Sequence, residues 1–408
     1  MSELQRIVDA LGRSTKRAVA VHDRQGRILA YSSHEGHVDP VRAASILTRR
    51  APAESLAWSR AQGFEKAEGP MRVAANPDLG MESRVCAPAR FEGKVVAFVW
   101  LVDPGEELDA DQLAEVARAA DAVGAAVNRE RLVEEIERGR ERELLRDLCS
   151  EQESIREQAA DELTERELLT RADLVVAFVV RPTRKRSPMG RDDTAVRDAV
   201  ERGLERGRSM APPRQAATLV RHDHGLLVLG LTQRDAQPVR LQKVAADLQR
   251  TVAESGDGTK GWRVVVGIGE PQKNAVDLHV SYRRARQAAE VAGLLESFGA
   301  VTGWWELGVY QTLLDLPLGT LTADSLHPGL RRLLAAREGM IWLQTLEAWF
   351  DLGCDARAAA EQLGLQRGSL YHRLNRIEQL AQVDLSRGDD RLALHLGLKI
   401  GRLAGLLA

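Results

Sequence analysis

Between Arg367 and Ile377 the chain reads Arg-Gly-Ser-Leu-Tyr-His-Arg-Leu-Asn-Arg-Ile. Arginine, histidine and asparagine are the side chains that bond phosphates and base edges, so this run is suited to holding a nucleic acid. At roughly 100° per residue along a helix, Leu370, Leu374 and Ile377 define a buried stripe. Gly368, His372, Asn375 and Arg376 then point away from it, with Ser369 and Tyr371 at the margins and Arg367 and Arg373 nearer the flanks. His372 and Asn375 suit base edges, and the flank arginines suit phosphates. Gly368 lets a backbone approach closely but supplies no base contact. A single acid, Glu378, opposes this basic face.

The elements that must position this face are written just upstream. Residues 355 to 380 form two short helical patterns pinched around Gly364, with Leu363 and Leu365 flanking the turn. Ala359 and Ala360 are small enough for the first helix to lie close to the second. Asp355 is placed to cap the first helix, because its carboxylate can accept backbone N–H bonds at the positive dipole end. The pattern is that of a helix-turn-helix, whose second helix enters the major groove of double-stranded DNA. An ordinary helical hairpin is the alternative.

With 408 residues, the chain is expected to hold two to four domains. Its net charge of −2 requires any nucleic-acid affinity to come from a local patch. Cys86, Cys149 and Cys354 show neither zinc spacing nor a disulfide framework, which fits a reducing, cytoplasmic setting. The N-terminus lacks a signal-peptide core. The longest apolar run, Val95 to Val102, is strand length and far too short for a membrane span.

Residues 1–128 read as an α/β sensor module. It has a helix at Leu4–Leu11, a hairpin of Arg17–His22 with Arg27–Tyr31, and helices near Pro40–Arg50 and Ala53–Gln62. A second hairpin, Arg84–Arg90 with Lys94–Val102, precedes an Ala-rich helix at Asp109–Asn128. His34 and His37, beside Tyr31, Glu35 and Asp39, are near one another only in sequence, and no metal is expected there. Trp58 and Trp100 are expected to pack in cores. Residues 129–170 read as a charged helical linker with a sparse apolar stripe of Leu132, Ile136, Leu144, Leu145 and Leu148. This is either a solvated connecting helix or a parallel dimer stalk.

Residues 171–295 read as a second α/β domain, with strands at Leu174–Val180, Ala216–Arg221, Leu226–Leu231 and Trp262–Gly267. Helices are expected at Asp192–Arg206, Arg240–Val252 and Leu278–Leu294, and Arg181–Pro188 reads as a basic surface loop. Connecting helices are placed at 296–339, where Trp304 and Trp305 serve as core anchors. A DNA-binding domain follows at 340–408.

Residues 340–408 resemble the C-terminal DNA-binding domain of PucR-type regulators, a group that includes the sugar-diacid regulators. The likeness rests on Thr345–Phe350, Arg367–Ile377, Val383–Leu385 and Asp390–Leu396. Gly368-Ser369-Leu370 stands where that family usually has Asn-Thr-Leu, although Arg-Gly-Thr-Leu is common in the similar Fis-type motif. Val266–Pro271 and Ser281–Ala288 resemble the family's GGDEF-like central domain, and Arg84–Arg90 with Gly93–Trp100 resembles the paired strands of a GAF-type domain. The resemblance implies a multidomain α/β plus all-α chain: GAF-like sensor, helical linker, degenerate GGDEF-like domain and helix-turn-helix. It implies a DNA-binding transcriptional regulator sensing a small molecule or partner through its N-terminal domain. A homodimer or higher oligomer is expected because one helix-turn-helix reads only one half-site.

The main alternative is a nucleotide cyclase, and a further one is a protein- or ligand-binding adaptor whose helix-turn-helix only dimerises. A cyclase of this fold needs small residues to admit the triphosphate and acids to hold metal ions. The equivalent hairpin offers His222-Asp223-His224-Gly225, with one carboxylate. Gly267-x-Gly269 lacks a third glycine and there is no Walker A sequence. Neither catalytic residues nor a cofactor are therefore expected.

Overall fold

Near-continuous apolar runs, buried on both faces, build the central strands of both sheets of the computed structural model, which describes residues 2–33, 39–169, 172–184, 187–190, 193–255 and 261–407. The chain divides into two units, Met1–Gly139 and Arg140–Ala408, each described by itself. His34 and His37 lie outside the described residues.

The first unit contains α1 (Glu3–Thr15), β1 (Val19–His22), β2 (Ile28–Tyr31), α2 (Pro40–Thr48), α3 (Ala53–Ala61), β3 (Met71–Val73), β4 (Arg84–Phe91), β5 (Lys94–Val102) and most of α4 (Ala110–Leu148). The strands form an antiparallel sheet in the order β2-β1-β5-β4-β3. Val85, Ala87, Val99 and Leu101 turn to one face, against Leu4, Val8 and Leu11 of α1 and Val116, Ala120 and Val123 of α4. Cys86, Phe98 and Trp100 turn to the other, where Val41 and Phe64 cover them. Trp100 is therefore a core residue, with its ring edge-on to Phe64 at 5.0 Å. This is the expected α/β arrangement.

The second unit begins inside α4. It continues through α5 (Glu153–Glu165), β6 (Leu174–Arg184), β7 (Ser187–Pro188), α6 (Thr194–Ser209), β8 (Ala216–Val220), β9 (Gly225–Leu231), α7 (Pro238–Ala253), β10 (Arg263–Ile268), α8 (Leu278–Leu294) and β11 (Val301–Gly303). The sheet order is β11-β10-β6-β9-β8, with β7 paired to β6. Val175, Ala177 and Val179 of β6 face α8 and α5, while Val176, Phe178 and Val180 face α6 and α7. The result is helices on both faces of one sheet. β11, parallel to β10, was not foreseen, and it gives 301–303 to this sheet rather than to a purely helical connector. The supposed basic loop is also corrected: Arg181–Arg184 extends β6.

The linker reading needs a correction. Leu144, Leu145 and Leu148 are at most 1% exposed and belong to the core beneath the sheet. Glu141 is buried beside them and accepts two hydrogen bonds from the Arg208 guanidinium, at 2.9 and 2.7 Å. Burial pushes its carboxyl upward, against the pull of Arg208. Of the proposed stripe, only Leu132 and Ile136 stay exposed, joined by Val133.

The final helices are α9 (Tyr310–Leu313), α10 (Pro328–Ala335), α11 (Gly339–Asp351), α12 (Ala356–Gln362), α13 (Arg367–Ala381) and α14 (Gly388–Leu403). Leu326, Leu330 and Leu333, in and just before α10, share one core with α11 to α14. That core starts before residue 340.

Gly267 and Gly269 have a packing role. A Cβ on Gly267 would lie 2.0 Å from the Ala285 carbonyl oxygen, and one on Gly269 would lie 2.0 Å from that of Ser281. Gly267→Ala should therefore destabilise the second unit by about 1–3 kcal/mol or more, as overpacking does. Gly368→Ala, with nothing within 4 Å of its Cβ, should not destabilise it. Urea unfolding of the two variants beside the parent checks the contrast, and equal stability of the Gly267 variant would contradict the packing account.

Candidate nucleic-acid interface

Asp355 caps α12 as its position suggested. Its carboxylate accepts the backbone N–H groups of Arg357 at 2.7 Å and Ala358 at 3.1 Å. The bonds from Ala358 and Arg357 hold its carboxyl below the ordinary range. A depressed folded pKa means this cap stabilises at neutral pH and weakens as pH falls through the acid range. Gly364 ends the helix in the left-handed region at φ 63°, a conformation glycine adopts without penalty. The Leu365 N–H returns to the Ala360 carbonyl at 2.8 Å. Ala359 and Ala360 are buried, so α12 lies close on its neighbours.

α13 buries Leu370, Leu374, Ile377 and Ala381 against residues of α10 and α11. Arg332 of α10 donates from Nε to the Ala381 carbonyl oxygen at 3.1 Å, pinning the end of α13. On the opposite side Arg367, Gly368, Ser369, Tyr371, His372, Asn375 and Arg376 are exposed. Tyr371 leaves 56% of its surface bare, enough for its ring to lie against a partner. Arg373 departs from this set: it is half-buried and donates to Thr345 Oγ1 of α11 at 3.2 Å. The outcome is a polar, mostly cationic helix face on a rigid apolar base.

The hairpin between β8 and β9 holds the other candidate chemistry. His224 is 3% exposed. Its Nδ1 lies 2.7 Å from Asp223 Oδ1 and its Nε2 lies 2.9 Å from the Tyr282 hydroxyl. An Nδ1–H donated to the carboxylate leaves Nε2 to accept from Tyr282. The bond from His224 holds the Asp223 carboxyl well below its usual range, and burial lowers the pKa of His224. Among the described residues, no group of three or more His, Cys, Asp or Glu is arranged to hold a metal ion.

The first unit has a polar interior that sequence reasoning did not find. Asp39 is fully buried, caps α2 through the Arg42 N–H at 2.7 Å, and pairs with buried Arg84 at 2.6 Å. Arg42 donates to the carbonyls of Val19 and Ser32. His22, Ser45 and Trp100 complete the lining of two small voids of about 10 and 20 Å³. Only the spacing of Asp39 before the α2 pattern hinted at a cap, and nothing local marks Arg84 as its partner. A wider cleft of about 1180 Å³ is lined by Arg24, Arg50, Lys94 and the Arg60–Glu65 ion pair, 2.9 Å apart, around Leu56 and Phe98.

A terminal helix-turn-helix behind an α/β domain is the architecture of a multidomain regulator. Residues 342–400 match the PucR C-terminal helix-turn-helix domain, and residues 169–291 match a GGDEF-like domain. The chain is 20% identical to the DNA-binding transcriptional activator AdeR of Bacillus subtilis over 97% of its length and 92% of that relative. It is 21% identical to the proline-responsive transcriptional activator PutR of the same organism, over 98% of this chain and 96% of that one. The carbohydrate diacid regulator of Escherichia coli is 36% identical over 88 residues, covering 22% of this chain and 23% of that protein. The C-terminal domain is thus similar to that of PucR-type regulators, and the central domain to a GGDEF-like domain.

Burial moves the His22 pKa from 6.5 down to about 4, assisted by the Arg84 charge. The unfolded chain binds a proton below pH 6.5 that the folded chain refuses. Stability should therefore fall as pH drops from 6.5 to 4, by about 3 kcal/mol in full. Urea unfolding of the parent and His22→Leu across that range isolates this contribution, since other groups cancel in the difference. A difference between them that does not change with pH would contradict it.

Proposed function

We propose that this chain regulates transcription in the cytoplasm, binding double-stranded DNA through α13 and answering to a small molecule held by its GAF-like domain. The observation that carries the reading is the exposed Arg367–Arg376 face of α13 on its buried Leu370, Leu374 and Ile377 stripe. Phosphate contacts are assigned to Arg367 and Arg373, base contacts to His372 and Asn375, with Ser369, Tyr371 and Arg376 beside them. Gly368 admits the DNA backbone. The cationic cleft formed by Arg24, Arg50 and Lys94 supports an effector site in the first unit. Among the described residues, no helix is long and apolar enough to cross a membrane.

Arg367→Ala and Arg373→Ala should weaken binding to all DNA sequences and flatten its salt dependence, as lost phosphate contacts do. His372→Ala and Asn375→Ala should instead relax base preference, by roughly 1–3 kcal/mol for each good base contact. Affinity measured at several salt concentrations on an operator selected from random DNA distinguishes the two classes. Unchanged binding in all four folded variants would remove α13 as the reading helix.

The central domain is read as non-catalytic, because the Asp223 carboxylate is engaged by His224 and its hairpin offers no second carboxylate. Incubation with GTP or ATP and Mg²⁺ should yield no cyclic nucleotide. A product that disappears in Asp223→Ala would establish the cyclase reading instead.

The working species is proposed to be at least a dimer. One recognition helix reads one half-site, and two tethered half-sites gain affinity through effective concentration. Leu132, Val133 and Ile136 are 53–63% exposed on α4 and supply a self-association stripe. Ile136→Glu with Val133→Glu should lower the mass seen by light scattering and weaken operator binding at least tenfold. A parent chain that is monomeric, and that binds as tightly as the residue 322–408 fragment, would refute the dimer.

A further inference from the structure

The second unit contains a cleft of about 720 Å³ that the reading above does not use. One wall is α8, the second is the junction between α4 and α5, and the third is the segment 314–319 after α9. Its volume is of the order of a small-molecule site rather than a packing defect.

Its chemistry is two-sided. Arg283 and Arg286, one turn apart on α8, line it together with Arg156 of α5. Among the described residues, no carboxylate lies within ion-pair distance of Arg283, Arg286 or Arg156, although Glu151 and Glu290 stand elsewhere on the wall. Arg156 is 9% exposed, and its Nη1 donates to the carbonyls of Ser150 and Glu151 while its Nε is buried without a hydrogen-bond partner. Opposite these cations, Leu314, Leu316 and Leu318 supply apolar surface, with Leu316 43% exposed.

The cations are also positioned in advance. The Tyr282 ring is held by its hydroxyl on His224 Nε2 at 2.9 Å. The Arg286 guanidinium lies over that ring at 5.8 Å from its centre, and Arg221 lies over it at 5.4 Å. The His222-Asp223-His224 run thereby acquires a use outside catalysis: Asp223 fixes His224, which fixes Tyr282, which orients Arg286.

We propose that this cleft is a second ligand site, for an organic anion with a carboxylate or phosphate head toward Arg156, Arg283 and Arg286 and an apolar or planar body toward Leu314, Leu316 and Leu318. An occupant bridges α8 and the segment that leads from α9 toward the DNA-binding helices. The other side of α8 packs with Leu307, Tyr310 and Leu313 and with Leu403 of α14, so the site adjoins the base of the DNA-binding core.

The test is calorimetric titration of the full chain without DNA. The probes are AMP and indole-3-acetate, with adenosine and indole-3-acetamide as their uncharged matches, so the arms separate phosphate from carboxylate recognition. At least one anion should bind saturably, with its uncharged match at least tenfold weaker. Arg283→Glu with Arg286→Glu should lose at least tenfold, and Arg283→Ala alone about threefold. Lys243→Glu, at an exposed cation of α7 outside the cleft, should leave this binding unchanged. Binding by neither anion, or equal binding by parent and Arg283 variants, would overturn the proposal. Operator affinity of the same variants, read separately, reports on the DNA reading alone.

Discussion

The close approach of α8 to the central sheet is the constraint on which most of the second unit depends. Gly267 of β10 and Gly269 just beyond its end leave no side chain between the backbones, and Ser281 Oγ accepts the Ala177 N–H at 3.0 Å across the seam. Ala285 and Ala289 complete a contact built from the smallest residues, both fully buried. Dispersion and burial need this proximity, because a gap of even an ångström forfeits much of the contact energy. With that side fixed, the remaining sides of α8 are free to meet α9, the end of α14 and the polar cleft.

The DNA-binding face follows the same logic at smaller scale. Gly364 sets the turn, the buried alanines of α12 bring the helices together, and the leucine stripe of α13 locks its rotation. Only then do the polar residues share a side. Each determinant is local in sequence, which is why the motif and its exposed residues were legible from residues 355–380. Arg373 lies on the flank of the stripe where that reading puts it, but its bond to Thr345, 28 residues upstream, has no local signature.

Legibility elsewhere divides along the same line. α8 was bounded at Leu278–Leu294 from periodicity, and β5 at Lys94–Val102, since each carries its own pattern. The Asp39–Arg84 pair, 45 residues apart, had no local signature. Nor did the burial of Leu144, Leu145 and Leu148: a sparse stripe on a charged helix reads alike whether it meets a sheet, a second chain or water. β11 was missed because three residues carry too little alternation to register. The helical core of the DNA-binding domain begins earlier than expected for a related reason, as α10 looks like connector until Leu330 and Leu333 find α13.

The two sides of α8 have unequal freedom to change. The side against the sheet is held by backbone contact and tolerates almost nothing larger than alanine. The side bearing Arg283, Arg286 and Gln287 faces open space. Substitutions can accumulate there without disturbing the fold, so chemical preference at the cleft can drift between related chains while the scaffold around it stays fixed.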